Sequence, residues 1–376
     1  MLPLSLYIHI PWCIQKCPYC DFNSHKTPSV RPEISYIEAL LNDLDTELLT
    51  KPAREINSIF IGGGTPSLFS AQAYDRLFNG LQQRLSFKKN IEITLEANPG
   101  TVESQRFRDY RALGINRLSL GVQSFHSKHL KMLGRIHDAE EAKLAIDVAR
   151  KAGFDNLNID LMHSLPQQTL KEGLNDLKTA ASFSPEHLSW YQLTIEPNTV
   201  FYKLKPPTPT EDFTAQLEEE GFQFLDSQGL IRYETSAFSR PQKQSEHNIN
   251  YWLFGDYYGI GAGAHGKFTD LDHSIRRTQK HRMPREYIGS THKALPETVL
   301  TQHDICFEFM LNATRLLQPI PYTLFEERTH LSLDILRPSL ELSAQKGLLF
   351  LEQDHWKITP LGLQFTNDLQ ALFLFE

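Results

Sequence analysis

Cysteine is scarce in this chain: 376 residues contain four. A disulfide-stapled secreted fold needs an even, spread set, whereas here Cys13, Cys17 and Cys20 crowd together and only Cys306 lies elsewhere. A secretory signal is also missing. Met1 is followed almost at once by the strand-like run from Ser5 to Ile10, so no transit sequence is expected. With so few cysteines, the expected compartment is a reducing cytoplasm. No apolar run approaches the ~20 residues that a helix needs to span a bilayer. Basic charge is not in excess either. The formal net charge is −7 and the pI about 6.1, so the electrostatic footprint of a general nucleic-acid binder is absent and no nucleic-acid partner is expected. The basic residues that do cluster, Arg276, Arg277, Lys280, His281, Arg282 and Arg285, read as a solvated loop, with an anionic or membrane-surface patch as the alternative. Composition is otherwise ordinary, at 40% hydrophobic and 22% charged. A sizeable core is expected, in two or three domains or in one barrel with an appendage.

What the chain does have is a concentrated motif near its start. Ser5-Leu6-Tyr7-Ile8-His9-Ile10 reads as a short buried strand ending at Pro11. The cysteines follow on the loop that leaves it, where ligand sites of α/β folds collect. Three thiolates on one short loop can grip three irons of a [4Fe–4S] cluster. No fourth cysteine stands two positions after Cys20; Phe22 is there instead, which leaves one iron open to an exchangeable ligand. Zinc completed by His9 or His25 is the competing reading, although structural zinc usually takes four ligands in two separated pairs.

Apolar periodicity then alternates strand with helix. Strands are predicted at 56–61, 91–96, 116–122, 156–161 and 187–195, and helices at 32–49, 70–85, 103–112, 138–151 and 168–182. Six strand–helix units at such intervals mean a parallel sheet. They suit a partial, open (β/α)6 barrel related to the TIM barrel, with a doubly wound sheet as the alternative. Lys205-Pro206-Pro207-Thr208-Pro209-Thr210 breaks the pattern as a linker or lid, and a helix at 211–228 and a strand at 230–237 follow. From about 290 helices are predicted at 303–316, 321–328 and 333–346, with a hairpin at 348–359: a winged-helix-like α+β domain whose third helix has no basic face. The expected division is 1–204, 205–289 and 290–376.

Several strand ends carry residues suited to binding. Gly62-Gly63-Gly64-Thr65-Pro66 ends the second strand, with bare amides that attract a carboxylate; no Lys-Ser/Thr follows, so it is no P-loop. Glu96 and Asp160 can accept from hydroxyls, Gln123 both donates and accepts, and Arg135 can fork onto a carboxylate. Further on, His247-Asn248-Ile249-Asn250-Tyr251-Trp252 places His247 and Tyr251 four apart, on one face if helical. A histidine among aromatic rings can ligate haem iron; a hydrogen-bonded histidine in an aromatic cluster is the simpler alternative.

The cysteine spacing C-x3-C-x2-C after a strand resembles the radical S-adenosylmethionine (SAM) superfamily. The wider string Tyr7-Ile8-His9-Ile10-Pro11-Trp12-Cys13 is similar to the oxygen-independent coproporphyrinogen oxidases and their relatives. The resemblance implies that SAM chelates the open iron through its amino and carboxylate groups. It implies SAM contacts for Tyr7, Gly63, Gly64, Thr65, Glu96, Gln123, Arg135 and Asp160. Ser164 departs from the family's glycine and should alter a turn only. The string His247-Asn248-x-x-Tyr251-Trp252 resembles the haem-chaperone branch, and it implies haem as a bound group, His247 with Tyr251 and Trp252 as its site, and respiratory cytochromes among the acceptor proteins. Phe22 and the short start, against a fourth cysteine and a long N-terminal extension in true oxidases, favour a chaperone over coproporphyrinogen III decarboxylation. The haem site is expected beyond the barrel.

Overall fold

The structure is a computed structural model that describes residues 2–52, 54–101 and 104–374. Strand β1 (Leu4–Ile10) runs into the cysteine loop, whose ends are joined by the parallel pair β2 (Trp12–Cys13) and β3 (His25–Lys26). The chain then alternates: α1 (Glu33–Thr50), β4 (Ile56–Gly63), α2 (Ala71–Gln82), β5 (Phe87–Ala97), α3 (Ser104–Ala112), β6 (Arg117–Gln123), α4 (Ser127–Met132), α5 (Ala139–Lys151), β7 (Leu157–His163), α6 (Leu170–Ser182) and β8 (His187–Gln192). The predicted start of the third helix at 103 lies outside the described residues. Local sequence fixes several starts. Ser70 accepts from the Ala73 amide, and Asp138 with Glu141 and Thr169 with Glu172 form capping boxes.

The six strands β1-β4-β5-β6-β7-β8 lie side by side and parallel, in chain order. Their outward faces, among them Leu6, Ile8, Ile59, Ile61, Leu95, Leu118, Leu120, Ile159 and Leu188, are fully buried beneath the helices. This is the open (β/α)6 arrangement that the alternation predicts. The sheet extends further on both sides. After α7 (Val200–Leu204) and α8 (Glu211–Ser227), the one strand expected at 230–237 is a hairpin, β9 (Ile231–Glu234) and β10 (Ala237–Ser239), added antiparallel beyond β8. Then α9 (Glu246–Trp252) leads to β11 (Asp256–Ile260), which joins the other side of β1 in parallel. It is followed by the antiparallel β12 (His265–Thr269), β13 (Ile275–Gln279), helix α10 (Pro284–Gly289) and β14 (Thr298–Val299). Strands of five residues or fewer give little periodicity to read. The basic cluster is also not a solvated loop. Arg276 and Arg277 lie on β13 and pair with Asp270 and Glu308, and Lys280 is buried against Asp43 and Glu47. That leaves Arg282 and Arg285 exposed.

The C-terminal part is α11 (Gln302–Ala313), β15 (Ile320–Pro321), α12 (Tyr322–Thr329), α13 (Arg337–Gln345), β16 (Leu349–Leu351), β17 (His355–Ile358), α14 (Pro360–Gln364) and α15 (Thr366–Ala371). Its strands form a sheet in the order β15-β17-β16. Its core holds Cys306, Phe309, Met310, Phe325, Leu340 and Trp356. Phe254 belongs to the same apolar cluster, and Ile249, Trp252 and Leu253 pack against it. Helix α9 therefore bridges the barrel and the C-terminal part. Among the described residues no helix is long and apolar enough to cross a membrane.

Candidate functional site

The cysteine loop is held from several directions. Its ends are tied by His25 N donating to Pro11 O (2.7 Å) and Thr27 N to Cys13 O (2.8 Å). Lys16 Nζ reaches the carbonyls of Phe22 and Ser24 at 3.0 and 3.3 Å. Asn23 Nδ2 bonds Ala262 O and Arg282 O at 2.9 and 2.8 Å, and the ring of His9 bonds Asn23 O at 2.9 Å. From above, Phe201 N donates to Pro18 O at 2.9 Å. A loop so clamped places its side chains with little conformational cost at the moment of binding.

Each thiol has its own polar neighbour. Thr65 Oγ1 donates to Cys13 Sγ at 3.5 Å, Arg135 Nη1 to Cys17 Sγ at 3.6 Å, and Ser24 Oγ lies 3.8 Å from Cys20 Sγ. Burial pushes the Cys13 and Cys20 thiols up, partly offset by those hydroxyls. All four cysteines are free. Among the described residues no three His, Cys, Asp or Glu side chains converge closely enough for a single metal ion. A zinc ion sharing His9 or His25 does not suit that geometry; thiolates that each take a separate iron stand further apart. The donor set thus fits a cluster better than an ion.

The cysteines open into a cavity of about 460 Å³. Gly63, Gly64, Thr65, Glu96, Gln123, Arg135 and Asp160 all line it, as does Trp252. Strand register explains the gathering: in parallel neighbours the C-terminal ends share one rim. The glycine turn is sterically specified. A Cβ on Gly64 would stand 2.7 Å from Trp12 O and 2.8 Å from Trp12 N, and Gly63 has φ +112°. A side chain at Gly64 would therefore break the turn itself, so such a substitution reports on folding as much as on binding. Glu96 accepts from Gly63 N at 3.0 Å. Burial, and then the nearby Asp160, push its carboxyl up to about 7. Asp160 accepts from Ser119 Oγ and Asn158 Nδ2, both at 2.8 Å. Gln123, at φ +69°, accepts from Tyr191 Oη at 2.9 Å. Arg135 is anchored by Gly121 O at 2.6 Å and lines the cavity beside Cys17. Ser164 sits at φ +56°, where glycine would be unstrained, and its hydroxyl bonds Thr214 Oγ1 at 2.8 Å.

Three expected site residues do not line the cavity: Tyr7, His247 and Tyr251. Tyr7 Oη bonds His9 Nδ1 at 2.9 Å and its ring stacks on Phe60. His247 does not lie beyond the barrel. It packs against Phe60 and Tyr7 from β4 and β1, with Nδ1 3.0 Å from Ser58 Oγ and Nε2 2.8 Å from Tyr251 Oη. Both nitrogens are thus engaged. Burial, and then Arg117, hold the imidazole down to about 3, so it is neutral at ordinary pH. The expectation that His247 and Tyr251 share a helix face is met, but that face turns inward. The adjacent face of α9, Asn248 and Trp252, lines the cavity. Sequence reasoning missed Tyr19, Tyr191, Glu234, Ser236 and Arg315, which also line it. Tyr19 stands inside the cysteine motif and could have been picked out; Arg315 arrives from the end of α11 and carries no local signal.

Comparison with known proteins bears on these residues. The radical SAM superfamily model matches residues 7–180, and the HemN C-terminal domain model matches 300–365. The "Heme chaperone HemW" of Escherichia coli (strain K12) is 50% identical over 374 residues, covering 100% of this chain and 99% of that one. The chain belongs to the HemW family. Its Haemophilus influenzae member is 48% identical, with 100% of this chain and 98% of that one covered. Among solved structures, "Coproporphyrinogen III oxidase (HemN) from Escherichia coli is a Radical SAM enzyme" aligns with a TM-score of 0.82 at 24% identity, over 99% of this chain and 90% of that one. At that identity the match speaks for the fold: the radical SAM α/β architecture with the HemN-type C-terminal domain.

Proposed function

We propose that this protein is a haem chaperone that holds a SAM-ligated [4Fe–4S] cluster, binds haem and passes it to acceptor proteins, respiratory cytochromes among them, in the cytoplasm. The observation that carries the reading is α9. Its His247–Trp252 motif puts Asn248 and Trp252 on the same cavity as the three cysteines, in a chain half identical to a named haem chaperone along its whole length. Four free cysteines support a reducing compartment.

In this reading Cys13, Cys17 and Cys20 hold the cluster, and Gly63, Gly64, Thr65, Glu96, Gln123, Arg135 and Asp160 hold SAM. When bound, the cluster supplies one-electron reducing power to SAM on its open iron. The chain's own residues orient and exclude. The bare amides and Arg135 meet a carboxylate, the carboxylates of Glu96 and Asp160 accept from ribose hydroxyls, and the clamped loop holds the sulfurs at the cavity. His247 and Tyr7 hold α9 against β1 and β4, so His247 meets haem iron only if one of its two hydrogen bonds, to Ser58 or to Tyr251, breaks and frees that nitrogen. The division 1–204, 205–289 and 290–376 belongs to this reading; a core of its own supports the last part, whereas the middle part shares the barrel's sheet and divides its apolar side chains between both cores.

The test is anaerobic reconstitution followed by parallel assays. The expected result is a Soret band that saturates at one haem per chain, with no decarboxylation of coproporphyrinogen III. Enzyme-like decarboxylation without haem binding would overturn the proposal in favour of an oxidase.

A pH dependence follows from Glu96. Its raised value means that the carboxylate needed by a ribose hydroxyl is lost as pH falls through about 7. SAM binding, followed by its effect on the reduced cluster's EPR spectrum, should weaken between about pH 8 and pH 6. Glu96→Gln should bind more weakly at pH 8 and show a flat profile across that range. A wild-type profile that is itself flat would remove Glu96 from the SAM site.

A further inference from the structure

Resting on the haem reading, we infer that Arg315 and Trp252 form a docking subsite for a carboxylate-bearing porphyrin edge, with Arg315 binding a propionate and Glu234 holding the guanidinium in place until cargo arrives. The cavity has two chemically different ends. One is the cysteine loop with the glycine turn. The other is built where α9, the β9–β10 turn and the end of α11 meet, and Glu234, Ser236, Asn248, Trp252 and Arg315 line it. The SAM contacts assigned above use none of these five.

The geometry there is that of an anion and ring receptor. The Arg315 guanidinium carbon lies 4.4 Å from the centroid of the Trp252 ring. A guanidinium over an indole is oriented by the ring quadrupole and loses less freedom when it meets a carboxylate. Arg315 Nη2 donates to Glu234 Oε2 at 2.9 Å and reaches Ser236 Oγ at 3.4 Å. Five N–H donors are available on a guanidinium, and Nε is buried with no hydrogen-bond partner. Trp252 Nε1 is a second buried donor without one. Both atoms are closed off from the cavity, so the contact with cargo falls to the exposed part of the guanidinium. Glu234 is 5% exposed and Arg315 31%, so the carboxylate is fixed in the wall while the guanidinium is reachable. A flat macrocycle with carboxylate arms meets these requirements together: its ring lies along the aromatic wall and one arm reaches Arg315. Arg315 follows α11, which the C-terminal core immobilises, so this part of the chain contributes a cargo contact.

The experiment uses the full reconstituted protein and two probes, haem and haem dimethyl ester, in which both propionates are masked. Soret titrations are run on wild type, Arg315→Gln and Glu234→Gln. Wild type should prefer haem to its ester about tenfold, the scale of one charge-assisted hydrogen bond pair. Arg315→Gln should lose about tenfold for haem and nothing for the ester, with the cluster's absorbance retained. Glu234→Gln should bind haem a few-fold tighter, because Arg315 no longer has an internal competitor, and leave the ester unchanged. Equal loss for haem and ester in Arg315→Gln would mean a merely structural residue and would overturn the inference. Equal haem affinity in wild type and Arg315→Gln would overturn it too. Failure of wild type to bind either probe would instead sink the haem reading on which it rests.

Discussion

Alanine at Cys13, Cys17 or Cys20 is expected to abolish the iron–sulfur absorbance and the EPR signal of the reduced protein, each alone as completely as all three together. The reason is one thiolate per iron: a cluster with a second open corner loses a covalent ligand, not a weak contact. The thiols are not interchangeable with a neighbour. Thr65, Arg135 and Ser24 each address a different sulfur, at 3.5, 3.6 and 3.8 Å, and the loop is too tightly tied to bring another donor across. Cys306 supplies the internal control. It is fully buried in the C-terminal core, and burial pushes its thiol up to about 12, so it offers neither access nor thiolate. Cys306→Ala should retain the full cluster at some cost in stability from the vacated volume. Iron and sulfide counted per chain, with absorbance and low-temperature EPR, decide the matter. A complete cluster in Cys17→Ala would sink the assignment, and loss of the cluster in Cys306→Ala would show that the C-terminal core supports the loop.

That motif was legible because its chemistry is local. Strand, proline and three cysteines fall within sixteen residues, from Ser5 to Cys20, and no tertiary contact is needed to see them. The alternation of β1 with α1 and of β4 with α2 was legible for a similar reason: the outward faces of the strands are apolar, and α2 starts on its Ser70 cap. Gly63 at φ +112° and Ser164 at φ +56° show that even the turn chemistry left a trace. What stayed hidden depends on partners far apart in the chain. The motif at α9 could be seen, but not that His247 turns toward Ser58, 189 positions away, while Trp252 turns to the cavity. Helical spacing names which residues share a face; it does not say which face meets solvent, sheet or ligand. Arg315 is an ordinary cation in sequence and becomes a cavity residue only when the C-terminal part packs on the barrel.

Lys280 is the strongest case of a residue misread for that reason, and it carries the largest expected effect on stability. In sequence it belongs to a basic, solvent-like run. In the fold its side chain is 1% exposed and pairs with Asp43 and Glu47, both on α1, at a separation of 237 positions for Asp43. Lys51 joins the same group through Glu47 and, at 3.2 Å, Glu297. The network continues toward the cluster loop. Tyr287 Oη donates to Asp43 at 2.7 Å and accepts from Gly261 N at 3.0 Å; Tyr36 Oη accepts from Ala262 N at 2.8 Å and donates to His9 O at 2.7 Å. Removing one partner of a buried pair costs more than the pair ever contributed, because the remaining charge stays desolvated. Lys280→Met leaves Asp43 with no cation and Glu47 with Lys51 alone, and should lower stability by about 3–5 kcal/mol, read as a fall in the urea midpoint. The pH behaviour has a definite sign. Burial works to lower Lys280 but Asp43 and Glu47 hold it above the ordinary lysine value, so its contribution is complete below about pH 10 and fades as pH rises through the shifted value. Burial works to raise Glu47 but Lys280 and Lys51 hold it down, so its contribution is present above about pH 4 and lost as pH falls through the shifted value. Burial leaves Asp43 above the usual carboxylate range even beside Lys280. Without the lysine, burial dominates and both carboxylates move up. The deficit of Lys280→Met against wild type should therefore grow as pH rises from about 4 to 7 and shrink in acid, where the stranded groups take up protons. Adding Asp43→Asn to Lys280→Met should recover most of the loss, since Glu47 keeps Lys51 and no carboxylate then remains without a cation. A single variant as stable as wild type at pH 7, or a deficit independent of pH, would mean that water already reaches this cluster and that its charges are not what holds α1 to β13.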